Sequence, residues 1–176
     1  MPAENTTITA TEGQAVATAT GERADIAQFD LELEARQSAR TEWPKITLVT
    51  AVYNGEEYLE ATMRSIVNQE YPNLEYIVVD DGSTDGTAKI IRKYERKVSC
   101  WISQANQGLF AALNAGFARS TGEIMGWLNS SDMLQVNGLF TVGSIFRGLR
   151  EVEWITGRPT KISATGMTVD VLPIPR

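Results

Sequence analysis

The fold is decided by residues 46–87, which read ITLVTAVYNGEEYLEATMRSIVNQEYPNLEYIVVDDGSTDGT. Two runs in this stretch, Ile46–Val52 and Glu75–Asp80, are apolar and rich in β-branched residues, a composition typical of buried strands. The segment between the two runs has apolar residues at the spacing of one helix face: Leu59, Met63, Ile66 and Val67. A strand, a helix and a second strand joined by short connections predict the beginning of a parallel sheet.

The same alternation continues to the end of the chain. It predicts further strands at Val98–Ser103, Ile124–Leu128 and Val152–Thr156. Thr84 is the predicted N-cap of the second helix, and Lys161–Leu172 is predicted to form a hairpin. The predicted fold class is therefore α/β, with a mainly parallel sheet and helices on both faces.

The first 44 residues differ in composition from the rest of the chain. They carry eight acidic and three basic side chains, and the first twenty are mostly Thr, Ala and Glu. Such a segment buries too little apolar surface to offset the entropy lost on ordering. We therefore expect a disordered or partly helical tail at 1–44 and a single domain at 45–176.

The composition excludes several classes of function. The chain has no histidine and one cysteine, Cys100, so it cannot contain a Ser-His-Asp triad or an internal disulfide. A net charge of −6 argues against a nucleic-acid partner. No apolar run predicts a transmembrane segment, and the amino terminus does not resemble a secretory signal. The expected location is cytoplasmic.

Polar clusters follow three of the predicted strands. They are Tyr53–Glu56, Asp80–Gly86 and Asn129–Asp132. The carboxyl ends of parallel strands share one edge of the sheet, where ligands of such sheets bind. An alternative for the second cluster is an Asx turn followed by a helix cap at Thr84 or Asp85. The three clusters together favour a binding site.

Two segments carry a resemblance to a known family. VTAVYNGEEYLEATMRSIVNQEYPNLEYIVVDDGSTDGT and NQGLFAALNAGFARSTGEIMGWLNSSD resemble the start of family 2 glycosyltransferases, which have the GT-A fold. The resemblance covers about residues 45–160 and implies transfer of a sugar from a nucleotide-diphosphate donor to a hydroxyl acceptor. It also implies a role in polysaccharide or glycoconjugate synthesis.

The resemblance implies a set of donor-binding residues. Ala51 and Tyr53 would flank the nucleobase, Asp81 would accept a hydrogen bond from it, and a UDP-sugar is the favoured donor. Asp80 would shape the turn or reach the ribose. An ordinary core aromatic is the alternative for Tyr53. The full donor-binding set is Ala51, Tyr53, Glu56, Asp80, Asp81 and Ser131.

The family also supplies a divalent cation, Mg²⁺ or Mn²⁺, held by carboxylates after the fourth strand. The matching loop is Asn129-Ser130-Ser131-Asp132, in which Asp132 stands at the metal-binding position. Ser131 replaces the acid that usually precedes it, so metal binding should be weakened.

The family's catalytic base lies downstream of the matched region, so no catalytic residue is assigned. The domain is therefore expected to be incomplete in its acceptor half. Three alternatives stay open: a glycosyltransferase, a non-catalytic nucleotide-sugar-binding module of the same fold, and a doubly wound mononucleotide-binding domain. The acceptor would be a glycan or a lipid-linked molecule, and the protein could lie peripherally at the inner membrane face.

Overall fold

The computed structural model describes residues 43–163 and 168–171. The predicted tail lies almost entirely outside these residues. The strands are β1 (Ile46–Val52), β2 (Leu74–Asp80), β3 (Cys100–Ser103), β4 (Ile124–Trp127), β5 (Thr160–Ile162) and β6 (Thr168–Val171). The helices are α1 (Leu59–Val67), α2 (Thr87–Lys93), α3 (Leu109–Phe117) and α4 (Gly138–Gly148), and a short 3-10 turn spans Glu95–Lys97.

The main sheet has four strands in the order β3-β2-β1-β4, and every neighbouring pair is parallel. The chain adds β2 and β3 on one side of β1 and then returns to place β4 on the other side. The strand order therefore reverses at β1. In sheets of this kind, ligands bind outside the carboxyl ends of the strands at such a reversal.

Helices cover both faces of the sheet, as the sequence predicts. Leu48, Tyr76 and Val78 belong to one buried cluster, which also contains residues of α1, α2 and α4. Val49 and Val79, on the opposite face, pack with residues of α3. The alternation follows from the strand geometry, which points successive side chains to opposite faces.

Helix α3 approaches β1 closely through a glycine. A Cβ added at Gly116 would lie 2.5 Å from Cγ1 of Val49 and 3.3 Å from Cγ2 of Val79. No side chain fits this space without movement of the sheet or the helix. The glycine therefore fixes how near α3 sits to the strands.

A partly buried carboxylate ties the amino-terminal ends of the strands together. Oε2 of Glu75 accepts hydrogen bonds from Oγ1 of Thr47 and, at 2.7 Å, from the backbone N–H of Thr121. Oε1 accepts from Oγ1 of Thr121 and forms an ion pair with Nζ of Lys45 at 3.0 Å. Burial opposes ionisation, but these hydrogen bonds outweigh it and lower the pKa of Glu75 from 4.5 to about 2.

Two local predictions are wrong. Val152–Thr156 is not a strand, because its side chains are largely exposed and no strand of the described chain pairs with it. Thr84 is not the N-cap, since α2 begins at Thr87 after Gly86.

The predicted hairpin is confirmed. β5 and β6 pair antiparallel, and their connection lies outside the described residues. None of the helices described is long and apolar enough to cross a membrane.

Candidate functional site

The loops that follow β1 and β2 are joined by hydrogen bonds around Asn54. Asn54 has a positive φ of 51°, a conformation that asparagine tolerates better than most residues. Its backbone N–H donates to Oγ of Ser83 at 2.9 Å, and its Oδ1 accepts from the backbone N–H of Thr84 at 2.8 Å. The two loops therefore form one unit at the carboxyl edge of the sheet.

A second pair of bonds links Glu56 to the start of α2. Oε2 of Glu56 accepts from the backbone N–H of Gly86 at 3.0 Å, and the backbone N–H of Glu56 donates to Oδ2 of Asp85 at 3.0 Å. Oδ1 of Asp85 accepts from the backbone N–H of Thr87 at 3.0 Å. Glu56 remains exposed, but one of its oxygens is committed to a structural contact.

Asp80 shapes the turn after β2, which is one of the two roles that the sequence indicates. Its side chain is buried, and Oδ1 accepts from the backbone N–H of Ser83 at 3.0 Å. This bond reaches three residues along the chain and closes the turn around Gly82, whose φ is +82°. An Asx turn would bond the N–H two residues on, so that alternative is wrong in detail, although Asp80 does shape the turn.

Asp81 connects the β2 turn to the segment before α3. Oδ1 accepts from Nε2 of Gln104 at 2.8 Å, and Oδ2 accepts from the backbone N–H of Gly108 at 2.8 Å. The backbone N–H of Gln107 donates to both oxygens, at 3.1 and 3.2 Å. Burial would raise the pKa of Asp81, but these hydrogen bonds hold it below its usual range. Asp81 is therefore a buried carboxylate kept ionised at the edge of the site.

Gln104, Gln107 and Gly108 are site residues that the sequence does not single out for this role. Gly108 has a φ of +93° and precedes the first residue of α3. A glycine that stands before an apolar helix pattern and after an Asn-Gln pair was the available signal. The signal shows a special backbone conformation but does not identify Asp81 as the partner.

The two residues expected to flank a base lie in different environments. Ala51 is buried and packs with the core beneath α3. Tyr53 follows the end of β1 and is 53% exposed, so the alternative of a core aromatic is wrong. The Tyr53 side chain can therefore be reached from solvent beside the Asn54 loop.

The loop after β4 brings Ser131 and Asp132 to the surface. Nδ2 of Asn129 donates to Oδ2 of Asp132 at 2.8 Å, and the backbone N–H of Asp132 donates to the carbonyl of Asn129 at 3.0 Å. The carbonyl of Ser130 accepts from Oγ1 of Thr62 at 2.9 Å, which anchors the loop to α1. Asp132 is thereby oriented within an ordered turn.

The described residues contain no cluster of three or more metal-ligating side chains. Asp132 offers one carboxylate, and Ser131 offers a neutral hydroxyl. Oxygen ligands suit Mg²⁺ or Mn²⁺, and such ions bind through one or two carboxylates together with substrate phosphates and water. The loop fits a cation that is held jointly with a diphosphate.

Comparisons with known proteins identify the family. A family model described as glycosyl transferase family 2 matches residues 47–137, slightly more than half of the chain. The putative teichuronic acid biosynthesis glycosyltransferase TuaG of Bacillus subtilis is 30% identical over 73% of this chain and 49% of its own length. The uncharacterized glycosyltransferase alr2836 of Nostoc is 34% identical over 58% of this chain and 33% of its own length.

Solved structures agree with this assignment. S. aureus TarS (residues 1–349), in complex with UDP-GlcNAc, matches with a TM-score of 0.55 and 26% identity, over 58% of this chain and 31% of that one. The mannosyltransferase PcManGT of Pyrobaculum calidifontis has the same fold, with a TM-score of 0.54 and 23% identity, over 78% of this chain and 44% of its own.

The chain spans between a third and a half of the length of TuaG and alr2836. The predicted GT-A fold is confirmed for the part described, and the mononucleotide-binding alternative is set aside. The matched region contains the strand-end clusters around Tyr53, Asp81 and Asp132. The chain belongs to glycosyl transferase family 2.

Proposed function

We propose that this chain binds a nucleotide-diphosphate sugar at the carboxyl ends of β1, β2 and β4. The protein that contains it would transfer the sugar to a hydroxyl acceptor in glycan synthesis. The observation that carries the proposal is the buried, ionised carboxylate of Asp81, which lies in a family 2 domain at the edge where the strand order reverses.

The nucleobase would bind between Asp81 and the exposed ring of Tyr53. Both oxygens of Asp81 already accept hydrogen bonds within the chain, so the N–H of the base would have to take the place of Nε2 of Gln104 on Oδ1. A carboxylate accepts hydrogen bonds only, so it suits a base edge that carries an N–H, such as that of uracil. A UDP-sugar is the favoured donor, and the TarS complex with UDP-GlcNAc supports this choice. Asp80, Glu56 and Ala51 would then support the pocket from behind, through the turn contacts and the core packing described above.

Asp132 would hold Mg²⁺ or Mn²⁺ together with the diphosphate, with Ser131 beside it. A bound cation of this kind neutralises charge on the diphosphate leaving group. Asn129 fixes one oxygen of Asp132 by a hydrogen bond, which leaves the other oxygen for an outer ligand. Because the loop has one acid, metal binding should depend on the nucleotide.

A second candidate function is a non-catalytic module that binds the same donor. Ser131 favours it, because a hydroxyl at this position removes one negative charge from the metal loop. The acceptor base is assigned to no residue of this chain. Release of UDP from a UDP-sugar separates the candidates, since a binding module retains affinity for the donor without turnover.

Calorimetry with UDP and Mn²⁺ tests donor binding. Replacement of Asp81 by asparagine should weaken binding by about 1–3 kcal/mol, the contribution of a hydrogen bond to a charged group. Tyr53→Ala tests the same pocket at an exposed position where folding is not at risk. Asp170→Asn, on the exposed strand β6, is the matched control for loss of an acid and should bind UDP normally.

Absence of UDP binding by the unaltered chain would contradict the proposal. Unchanged affinity in both Asp81→Asn and Tyr53→Ala would place the nucleotide elsewhere. Circular dichroism of Asp81→Asn is needed as a control, because this carboxylate also holds the segment before α3.

A further inference from the structure

The outer side of α2 and of the following 3-10 turn carries a dense group of cations. Residues 89–97 contain five basic side chains and one acidic one, in a chain whose net charge is −6. Lys89, Arg92 and Lys93 lie on α2, and Arg96 and Lys97 lie on the 3-10 turn that follows it. All five side chains are exposed, and we call them the basic face.

The fold accounts for only part of this charge. Nζ of Lys93 pairs with Oε1 of Glu60 at 2.6 Å, and the guanidinium of Arg92 lies 5.8 Å from the ring centroid of Trp101. No side-chain partner is found for Lys89, Arg96 or Lys97 within the described part of the chain. These three positive charges therefore make no side-chain contact that would stabilise the described part of the fold.

The chemistry of the basic face indicates the kind of partner. Protein interfaces are usually centred on buried apolar or aromatic side chains. Residues 89–97 expose no large apolar side chain, because Ile91 is buried and Ile90 and Tyr94 pack against the core. Single-stranded nucleic acids are usually bound with exposed aromatic rings on which the bases stack, and the one aromatic ring of residues 89–97, that of Tyr94, packs against the core. The remaining class of partner is a negatively charged surface that binds the basic face through charge alone.

We propose that the basic face binds the surface of a membrane that contains anionic lipids. Clusters of four to eight Lys and Arg on a helix are typical of such binding. The amino-terminal end of α2 is joined to the loop of Glu56, so the face and the candidate donor site belong to adjoining parts of the structure. The proposal does not depend on sugar transfer. It names the surface through which the protein would bind peripherally to a membrane, as expected from the sequence.

Co-sedimentation with lipid vesicles tests this inference. The chain should bind vesicles that contain phosphatidylglycerol at low salt, should be released at high salt, and should not bind vesicles of pure phosphatidylcholine. Each surface cation contributes about a fivefold change in partitioning, so the triple variant Lys89→Gln, Arg96→Gln, Lys97→Gln should bind about 100-fold more weakly.

A second triple variant is the matched control. Arg119→Gln, Arg150→Gln and Lys161→Gln remove the same charge from exposed positions elsewhere, and should leave vesicle binding within about fivefold of normal. Circular dichroism should show the same fold for both triple variants.

Four results would overturn the proposal. The first is a failure to bind phosphatidylglycerol vesicles at low salt, and the second is an equal loss of binding in both triple variants. The third is tighter binding of a single-stranded oligonucleotide than of vesicles, which would make the face a nucleic-acid site. The fourth is release of the chain from vesicles by soluble glycerol phosphate at millimolar concentration, which would indicate a site for a free phosphate.

Discussion

Replacement of Glu75 by glutamine should lower the free energy of unfolding by about 3 kcal/mol near neutral pH. The side chain is 13% exposed, and its two oxygens join β2 to Thr47 of β1 and to Thr121 before β4. The pKa of Glu75 falls from 4.5 to about 2 on folding. Each unit of pKa difference corresponds to about 1.4 kcal/mol, which gives the expected loss.

The dependence on pH follows from the direction of this shift. The pKa in the folded state is lower than that in the unfolded state, so the ionised form stabilises the fold at every pH above 4.5. The stabilisation is lost progressively as the pH falls from 4.5 through the folded-state value of about 2. The difference between the native chain and Glu75→Gln should therefore shrink in acid.

Urea denaturation of both proteins at about pH 7 and about pH 3 measures this difference. Glu95→Gln is the matched control, because Glu95 lies exposed on the 3-10 turn, and its stability should equal that of the native chain. A loss in Glu75→Gln that is equally large at both pH values would refute the electrostatic argument. A loss of less than about 0.5 kcal/mol at neutral pH would show that Glu75 does not hold the strand ends together.

Three further changes test the packing and the metal loop. Gly116→Ala should lower the free energy of unfolding, measured by thermal unfolding, by about 1–3 kcal/mol, because the added Cβ would clash with Val49. Gly148→Ala is the control and should not lower the free energy of unfolding, because the space around Gly148 is open. Tyr76→Phe removes the buried hydrogen bond to Thr50 and should lower stability by about 1 kcal/mol in urea, and an unchanged midpoint would contradict that bond. Ser131→Asp should tighten Mn²⁺ binding in calorimetry when UDP is present, with little metal bound by either protein alone, and equal affinity in the two proteins would exclude Ser131 from the metal loop.

The predicted strands show where sequence patterns suffice. β1 and β2 are long β-branched runs with both faces buried, and such runs form strands wherever a parallel neighbour exists. Val152–Thr156 has a similar local composition, yet it is not a strand. Pairing depends on what lies beside the segment in space, and a local pattern does not contain that information.

For the candidate site, the positions of the residues were predictable from the sequence, but their hydrogen-bond partners were not. The positions of Asp80, Asp81 and Asp132 follow from strand ends, so their place at one edge of the sheet could be inferred. The partners of Asp81 could not, because they lie 23–27 residues away in a segment whose path depends on β3 and on the backbone of Gly108. The start of α2 was predicted in part. Asp85, one of the two caps that the sequence offers, accepts from the backbone N–H of Thr87, but the bond from Gly86 to Glu56 joins residues 30 apart and is not contained in a local pattern.

The contact between Asp81 and the segment before α3 gives the site a built-in spectroscopic reporter. The amide protons of Gln107 and Gly108 are held by the carboxylate, so their NMR resonances should move when its charge or its hydrogen bonds change. Acid titration of these two resonances would follow the ionisation of Asp81 without any ligand. Addition of a nucleotide would shift the same resonances if the base reaches the carboxylate. Two backbone amides thus report whether this pocket is occupied.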